Sequence, residues 1–233
     1  MNQDRAANSL LAALPRKGYQ LMLARLEPVT LTFGDVLYRP TEAIRHIYFP
    51  TDCLVSLLTL ADGHLALEVG MVGHEGMLGV PLALGVTNSP VRALVQGSGT
   101  ALRMTSPHFV KEFAHNMPLQ RAVRRYTYDL MVQVTQSAAC NRFHNVEARL
   151  ARWLLMTRDR VRSDKFRLTQ DMLGRMLGVL RVAVTKGAGA LQKRKLISYS
   201  RGEISILDGK ALEAAACQCY QIVKPALAMA RAS

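Results

Sequence analysis

The side chains with the most chemistry to offer are the cations of one short segment. Leu168 to Leu207 reads LTQDMLGRMLGVLRVAVTKGAGALQKRKLISYSRGEISIL. Counted from Gln170, Gly174 stands fifth and Gly178 ninth, where a helix-turn-helix needs a small residue and a tight turn. Leu173, Leu177, Val179 and Val184 occupy the positions that must be apolar for its two helices to pack, and Thr169 is placed to cap the first. At about 100° per residue, a second helix from Leu180 to Gln192 turns Arg181, Val182, Thr185, Lys186 and Gly189 outward. Val184, Gly187, Ala188 and Leu191 turn back toward the first helix. The outward face suits the major groove of double-stranded DNA: Arg181 can bond guanine edges or phosphate, Lys186 phosphate or guanine, and the methyls of Val182 or Thr185 a thymine. Gly187 and Gly189 each weaken a helix by about 1 kcal/mol relative to alanine, a cost that close packing or close approach to the sugar-phosphate chain would justify. LISYS and EISIL, joined at Arg201-Gly202, read as a two-stranded wing with Arg201 at its tip, within reach of the phosphate backbone. The competing reading of Lys193, Arg194 and Lys195 is a solvated helix end.

The charge distribution agrees. From Asn141 to Ser233 there are 18 lysines and arginines against seven acids, a net of +11, whereas Met1 to Cys140 has 12 against 10. A basic surface gains counterion-release free energy on a polyanion. At 233 residues the chain has room for two domains with cores of their own. It has no apolar run approaching the roughly 18 to 20 residues of a membrane span, and its start lacks a signal peptide's order; a cytoplasmic protein without a membrane partner is expected. Cys53, Cys140, Cys217 and Cys219 are scattered, so neither a disulfide framework nor a four-ligand zinc pattern is readable, and no metal site is expected.

The elements that must position the basic segment lie upstream. Asn8 to Arg25 reads as two short helices interrupted by Pro15 and Gly18. Between Glu27 and Met104, short apolar runs punctuated by Gly34-Asp35, Pro50 and Asp62-Gly63 predict an all-β roll or sandwich. Leu65, Leu67, Val69 and Met71 alternate with more polar residues, as in a strand with one buried face, and Asp62-Gly63 supplies a tight hairpin before it. Gly97 to Gly99 makes a turn between RALVQ and TALRM. Pro118 marks the start of a long helix. Along it Leu119, Val123, Tyr126, Leu130, Gln133, Ser137 and Cys140 follow steps of four and three, a heptad seam. The seam predicts a parallel homodimer through Val123, Tyr126, Leu130 and Ser137; the alternative is that this face packs on the chain's own roll. The tail DGKALEAAACQCYQIVKPAL reads as a closing helix capped by Asp208.

A β-roll, a long dimer helix and this winged motif together resemble the Crp/Fnr superfamily, the cyclic-AMP receptor protein and fumarate-nitrate regulators, over essentially the whole chain. FGDVLYRPTEAIRHIYFPTDCLVSLL, EVGMVGHEGMLGV and LTQDMLGRMLGVLRVAVTKGAGALQKRKLI carry the resemblance. It implies an α+β fold: a cyclic-nucleotide-binding-like roll over 1–117, a dimerisation helix and hinge over 118–145, and a winged helix-turn-helix over 146–233. It also implies a transcription regulator whose roll senses a small molecule and whose two recognition helices meet a palindromic site. In cyclic-nucleotide-binding members a cassette carries a glycine-glutamate pair and a downstream arginine. Here Gly76-Met77 stands for the pair and Arg92 for the arginine, so Glu68, Gly76, Met77 and Arg92 are the candidate effector contacts. The carboxylate for the ribose hydroxyl is missing, which argues against cyclic AMP. Arg92 is either an anion anchor or one half of an ion pair with Glu68 or Glu75. The N-terminal cysteine group of the iron–sulfur sensors is absent, the first cysteine being Cys53. Haem-sensing relatives draw attention to Cys140 and His144, one helical turn apart near the hinge; a buried thiol and a polar hinge histidine are the plainer reading. Val182 stands where well-known relatives have a glutamate, so their half-site sequence does not carry over. The effector itself, and any cofactor, is not identified by the sequence.

Two other classes compete with this reading. A β-roll dioxygenase or isomerase needs a His-x-His pair with downstream Glu and His ligands. His46, His64, His74, His108, His115 and His144 never form that pair, and TKGAG lacks the order of a phosphate loop; an enzyme is not expected. An interaction module that contacts RNA polymerase or another regulator without reading sequence would be distinguished by a steep salt dependence with no base preference.

Overall fold

The computed structural model describes residues 8–61 and 65–229. Asn8 opens the fold: its side-chain oxygen accepts from the Leu11 amide, capping α1 (Ser9–Ala12), while its amide nitrogen donates to Pro50 O and Gly76 O at 2.8 and 2.9 Å. Pro15 ends this turn and starts α2 (Arg16–Leu23), so the proline makes the predicted break and Gly18 is simply carried within the second helix. The roll follows as β1 (Glu27–Leu31), β2 (Val36–Tyr38), β3 (His46–Pro50), β4 (Leu54–Ala61), β5 (Leu65–Val72), the short α3 (Val80–Ala83), β6 (Arg92–Gly97) and β7 (Gly99–Thr105). These make two antiparallel sheets, β1-β7-β3 and β2-β6-β4-β5, and the Gly97–Gly99 turn carries the chain from one to the other. Strands β4 and β5 pair from Val55↔Val72 to Ala61↔Leu65; the Asp62-Gly63 turn predicted between them lies outside the described residues.

The remaining elements are α4 (Ser106–His115), α5 (Met117–Phe143), α6 (Val146–Val161), β8 (Lys165–Arg167), α7 (Gln170–Leu177), α8 (Arg181–Lys193), β9 (Ile197–Ser200), β10 (Glu203–Ile206), α9 (Gly209–Ala215) and α10 (Cys219–Met229). Pro118 sits in the first turn of α5, as expected, and Asn116 caps it by accepting from the Leu119 amide at 3.0 Å. The wing has three strands, β8-β10-β9, because Lys165–Arg167 adds an edge that the sequence reading missed. Asp208 caps α9 as expected, but the tail breaks at Ala216 into two helices. No helix among the described residues is long and apolar enough to cross a membrane.

Two large apolar cores result among the described residues, with a small cluster of Cys140, Cys217 and Cys219 beside them. One fills the roll and takes in α1, α2, Phe109 of α4 and Leu119, Val123 and Tyr126 of α5. The other joins Leu54, Leu58 and Met71, on the opposite side of the β2-β6-β4-β5 sheet, to Leu150, Trp153, Leu154, Leu173, Leu177, Val184, Leu191 and Tyr220 of the C-terminal half. This sheet is therefore covered on both sides. The single buried face expected of β5 is corrected accordingly: Glu68, Gly70, Met71 and Val72 are all buried, because Trp153 of α6 lies over Glu68 and Leu130 and Val134 of α5 lie over Gly70.

The seam on α5 is also reassigned. Leu119, Val123, Tyr126, Gln133, Ser137 and Cys140 are buried inside the protomer, and Gln133 bonds both backbone groups of Met71 across to β5, at 2.9 and 3.1 Å. Val123, Tyr126 and Ser137 thus have no surface to offer a partner chain, and Leu130, half-buried, packs against the roll. A repeat of 3.5 residues records that a face is covered; here the cover is the chain's own roll and, for Ser137 and Cys140, α6 and the tail.

Candidate nucleic-acid interface and effector cavity

Thr169 begins α7 by accepting a hydrogen bond from the Met172 amide at 3.3 Å, and Gly178 ends it in the left-handed region at φ 61°. Gly174 lies against the turn: a Cβ there would come within 2.9 Å of Val179 O. Leu173 and Leu177 of α7 and Val184, Gly187, Ala188 and Leu191 of α8 are buried between the helices, and Val179 is partly so. This scaffold leaves Arg181, Val182, Thr185, Lys186 and Gly189 exposed together on the outer face of α8. Nothing lies within 4 Å of a Cβ built on Gly189, so that glycine answers no packing need inside the chain.

The polar groups on this face are only loosely engaged. Arg181 Nε lies 3.8 Å from Asp171 Oδ1, with both side chains largely exposed, a pairing that holds Arg181 weakly. Thr185 Oγ1 is within hydrogen-bond distance of Gln170 Oε1 at 2.7 Å and Arg181 O at 3.1 Å. With its hydroxyl donating inside the motif, Thr185 offers mainly its methyl to a base. Arg201 and Gly202 carry φ of 50° and 79°, the paired positive angles of a tight hairpin, which put Arg201 at the exposed wing tip. Thr169, Arg181, Tyr199 and Arg201 border one shallow depression between α7, α8 and the wing. The +11 overstates this surface, since Arg149, Arg152 and Arg160 of α6 are buried.

The effector contacts read from the sequence do not converge. A cavity of about 650 Å³ lies between the roll and α5, lined by Leu57, Val69, Met77, Leu78, Val80, Val91, Leu130 and Val134, with Tyr38, Thr41, Asn88 and Ser89 among its polar groups. Among the described residues, none that lines it is charged. Of the four candidates only Met77 reaches it. Gly76 packs under the Tyr126 ring, where a Cβ would collide. Arg92 falls on the other side of the sheet, because Val91 just before β6 and Ala93 and Val95 within it take the roll side, while Leu94 and Gln96 face the C-terminal half. Neither expected ion pair of Arg92 forms: Glu75 is paired with Arg160 at 2.8 Å, and Glu68 accepts from Ser56 and, at 2.8 Å, from Trp153 Nε1. Arg92 Nε is buried with no hydrogen-bond partner among the described residues.

Glu68 instead ties β5 to α6. Burial pushes its carboxyl from the usual 4.5 up to about 7, against the opposing pull of the Ser56 and Trp153 hydrogen bonds and of Arg160 and Arg152. The folded chain therefore binds this proton more tightly than the unfolded chain. The associated stability is full below about pH 4.5 and is lost as pH rises through about 7, a contribution on the order of 3 kcal/mol. Thermal unfolding followed from pH 5 to pH 8 is expected to show this decline, and Glu68→Gln to flatten it while keeping an oxygen for Trp153. An unchanged pH profile in the variant would show that other groups set it.

A strand roll, a long helix and a winged helix-turn-helix with a basic outer face have the architecture of a DNA-binding protein. Residues 148–215 match the family model of the Crp-like helix-turn-helix domain. Among solved structures, FixK2 from Bradyrhizobium japonicum is similar with a TM-score of 0.70 at 12% identity, over 82% of this chain and 98% of that one. The c-di-GMP-responsive global regulator CLP of Xanthomonas campestris gives 0.67 at 15% identity, over 82% and 99%. A Crp-family transcriptional regulator from Thermus thermophilus gives 0.66 at 19% identity, over 81% and 96%. No curated protein matches in sequence. Residues 148–215 thus carry a Crp-like helix-turn-helix domain, and the chain as a whole has the fold of these regulator structures.

Proposed function

We propose that the protein is a cytoplasmic, sequence-specific regulator that binds a palindromic DNA site as a homodimer, with a small and largely apolar effector held in the roll. The observation that carries the reading is the division of α8 into a buried scaffold face and an exposed face bearing Arg181, Val182, Thr185, Lys186 and Gly189. Arg201 at the wing tip and the exposed Thr169 hydroxyl serve the phosphates. The uncharged cavity favours an apolar ligand over a cyclic nucleotide, whose phosphate would lie there without a cation. Leu130 and Val134 form part of its wall, so an occupant would touch α5 directly. The three-part division into roll, helix with hinge, and DNA-binding half describes the roles, although the second core runs across the last boundary.

The dimer contact is placed on the exposed side of α5, where Arg124, Tyr128, Met131, Thr135 and Ala138 repeat at steps of four and three and Tyr128 and Met131 are 60% and 57% exposed. Selection of binding sequences from a random duplex pool, at two salt concentrations, tests the whole reading. An inverted repeat with half-sites one turn, about 34 Å, apart is expected from the native chain, and none from Met131→Glu if that side is the seam. Binding without a selected sequence, collapsing as salt rises, would favour the alternative of an interaction module that acts through RNA polymerase or another regulator.

A further inference from the structure

The sequence shows Cys140 and His144 one turn apart and Cys217 and Cys219 two residues apart, and offers no metal pattern. The fold brings these pairs together. The end of α5 and the break between α9 and α10 meet, and one ligand atom from each of the four residues lies within 4.8 Å of all the others. Cys140 Sγ is 3.4 Å from Cys217 Sγ, and Cys219 Sγ is 3.4 Å from His144 Nδ1. Four ligands at zinc's bond lengths of about 2.0–2.3 Å, arranged tetrahedrally, stand about 3.3–3.8 Å apart. The cluster thus needs only small side-chain adjustments to close around one ion, and it is too tight for two irons with bridging sulfides.

The surroundings suit a thiolate site. Cys140, Cys217 and Cys219 are buried and His144 half-buried, so bulk water is largely kept out. Zinc with three thiolates and a neutral imidazole carries one negative charge, and that charge needs company in the interior. Arg149 and Arg152 supply it: both are buried, neither makes an ion pair among the described residues although Arg152 also feels the Glu68 carboxyl, and the Nε of each is without a hydrogen bond. Their other hydrogen bonds go to neutral groups, Asn141 and Leu177 O for Arg149 and Ser137 for Arg152. Gln136 Nε2 donates to Cys219 Sγ at 3.1 Å, the outer contact that orients a ligating sulfur.

We infer that Cys140, His144, Cys217 and Cys219 form a closed Cys3His site for a single Zn²⁺, fastening the tail behind the DNA-binding elements to the end of the long helix. Binding releases the protons of whichever thiols are protonated, with no change of oxidation state. Two ligands come from each side of the α5–α6 hinge in sequence, so the ion fixes the hinge as a disulfide would, but reversibly.

The test is cobalt titration of the full-length, chelator-treated and reduced protein. One Co²⁺ per chain, with the intense visible bands of tetrahedral cobalt and near-ultraviolet thiolate charge transfer, both abolished by one equivalent of Zn²⁺, is expected. Gln136→Leu should keep the spectrum and weaken binding about 10- to 100-fold, and Cys217→Ser should lose thiolate intensity. Cys53→Ala, which alters the fourth cysteine, in the roll core, should change nothing. Weak octahedral bands or no thiolate charge transfer in the native chain would overturn the assignment. So would a chromophore accompanied by labile sulfide, or an intact Cys53→Ala spectrum that persists after both Cys140 and Cys217 are replaced. The native spectrum decides the matter even if a cysteine variant folds poorly.

Discussion

Replacing Arg160 by methionine is expected to cost about 3–5 kcal/mol of folding stability, a large share of a typical domain's total. Arg160 and Glu75 are 3% and 6% exposed, with Nε 2.8 Å from Oε1, and they join the loop after β5 to α6. Removing the guanidinium strands a buried carboxylate. Its other oxygen, Oε2, is already without a hydrogen bond, so the pair is incompletely satisfied and its net worth is small. The double variant Arg160→Met with Glu75→Leu should therefore recover most of the loss, and urea midpoints of the four proteins give the cycle directly. A loss below about 1 kcal/mol in the single variant would mean that water or movement relieves the stranded charge. Gly73 belongs to the same contact, since a Cβ there would come within 2.7 Å of the Arg160 Cβ.

What could be read in advance was what depends on neighbours in sequence. The turn at Gly178, the cap at Thr169, the packing face of α8 and the wing hairpin at Arg201-Gly202 each rest on local geometry, and a few positions specify them. The α5 seam was legible as a covered face but not as to its cover: the same apolar spacing serves a second chain or the chain's own β5, and Gln133 meeting Met71 shows which it met. Glu68, read as an effector contact or a partner of Arg92, meets Trp153 instead, because period two in a strand identifies sides and only the tertiary packing of α6 decides what covers each. Arg92 was misplaced for the related reason that alternation along β6 sends it to the opposite face from the cavity. Cys140 and Cys217 are 77 residues apart, and a ligand set divided between two elements has no spacing to recognise.

The second large effect is expected on DNA. Alanine at both Arg181 and Lys186 removes two cations per chain and hence four from the proposed dimer. A good bidentate arginine contact to guanine contributes about 1–3 kcal/mol, so two Arg181 side chains account for roughly 2–6 kcal/mol, or about 30- to 10⁴-fold in affinity for the selected site. The two variants should separate by kind. If Arg181 reads a base, Arg181→Ala relaxes preference at one symmetric position; if Lys186 holds phosphate, Lys186→Ala weakens all sequences alike and reduces the salt slope by about 1 for each phosphate no longer neutralised. Neither side chain supports the fold: both are exposed, and the only ion pair of either among the described residues is the loose one from Arg181 to Asp171. Thermal stability should consequently stay within about 0.5 kcal/mol of the native chain. Titrating a labelled duplex bearing the selected repeat, at two salt concentrations, measures the affinity, the base preference and the salt slope, and a melting curve the stability. Native affinity in the double variant would place the reading surface somewhere other than α8, with the wing and its Arg201, which borders the same depression as Arg181, the candidate to take over the role.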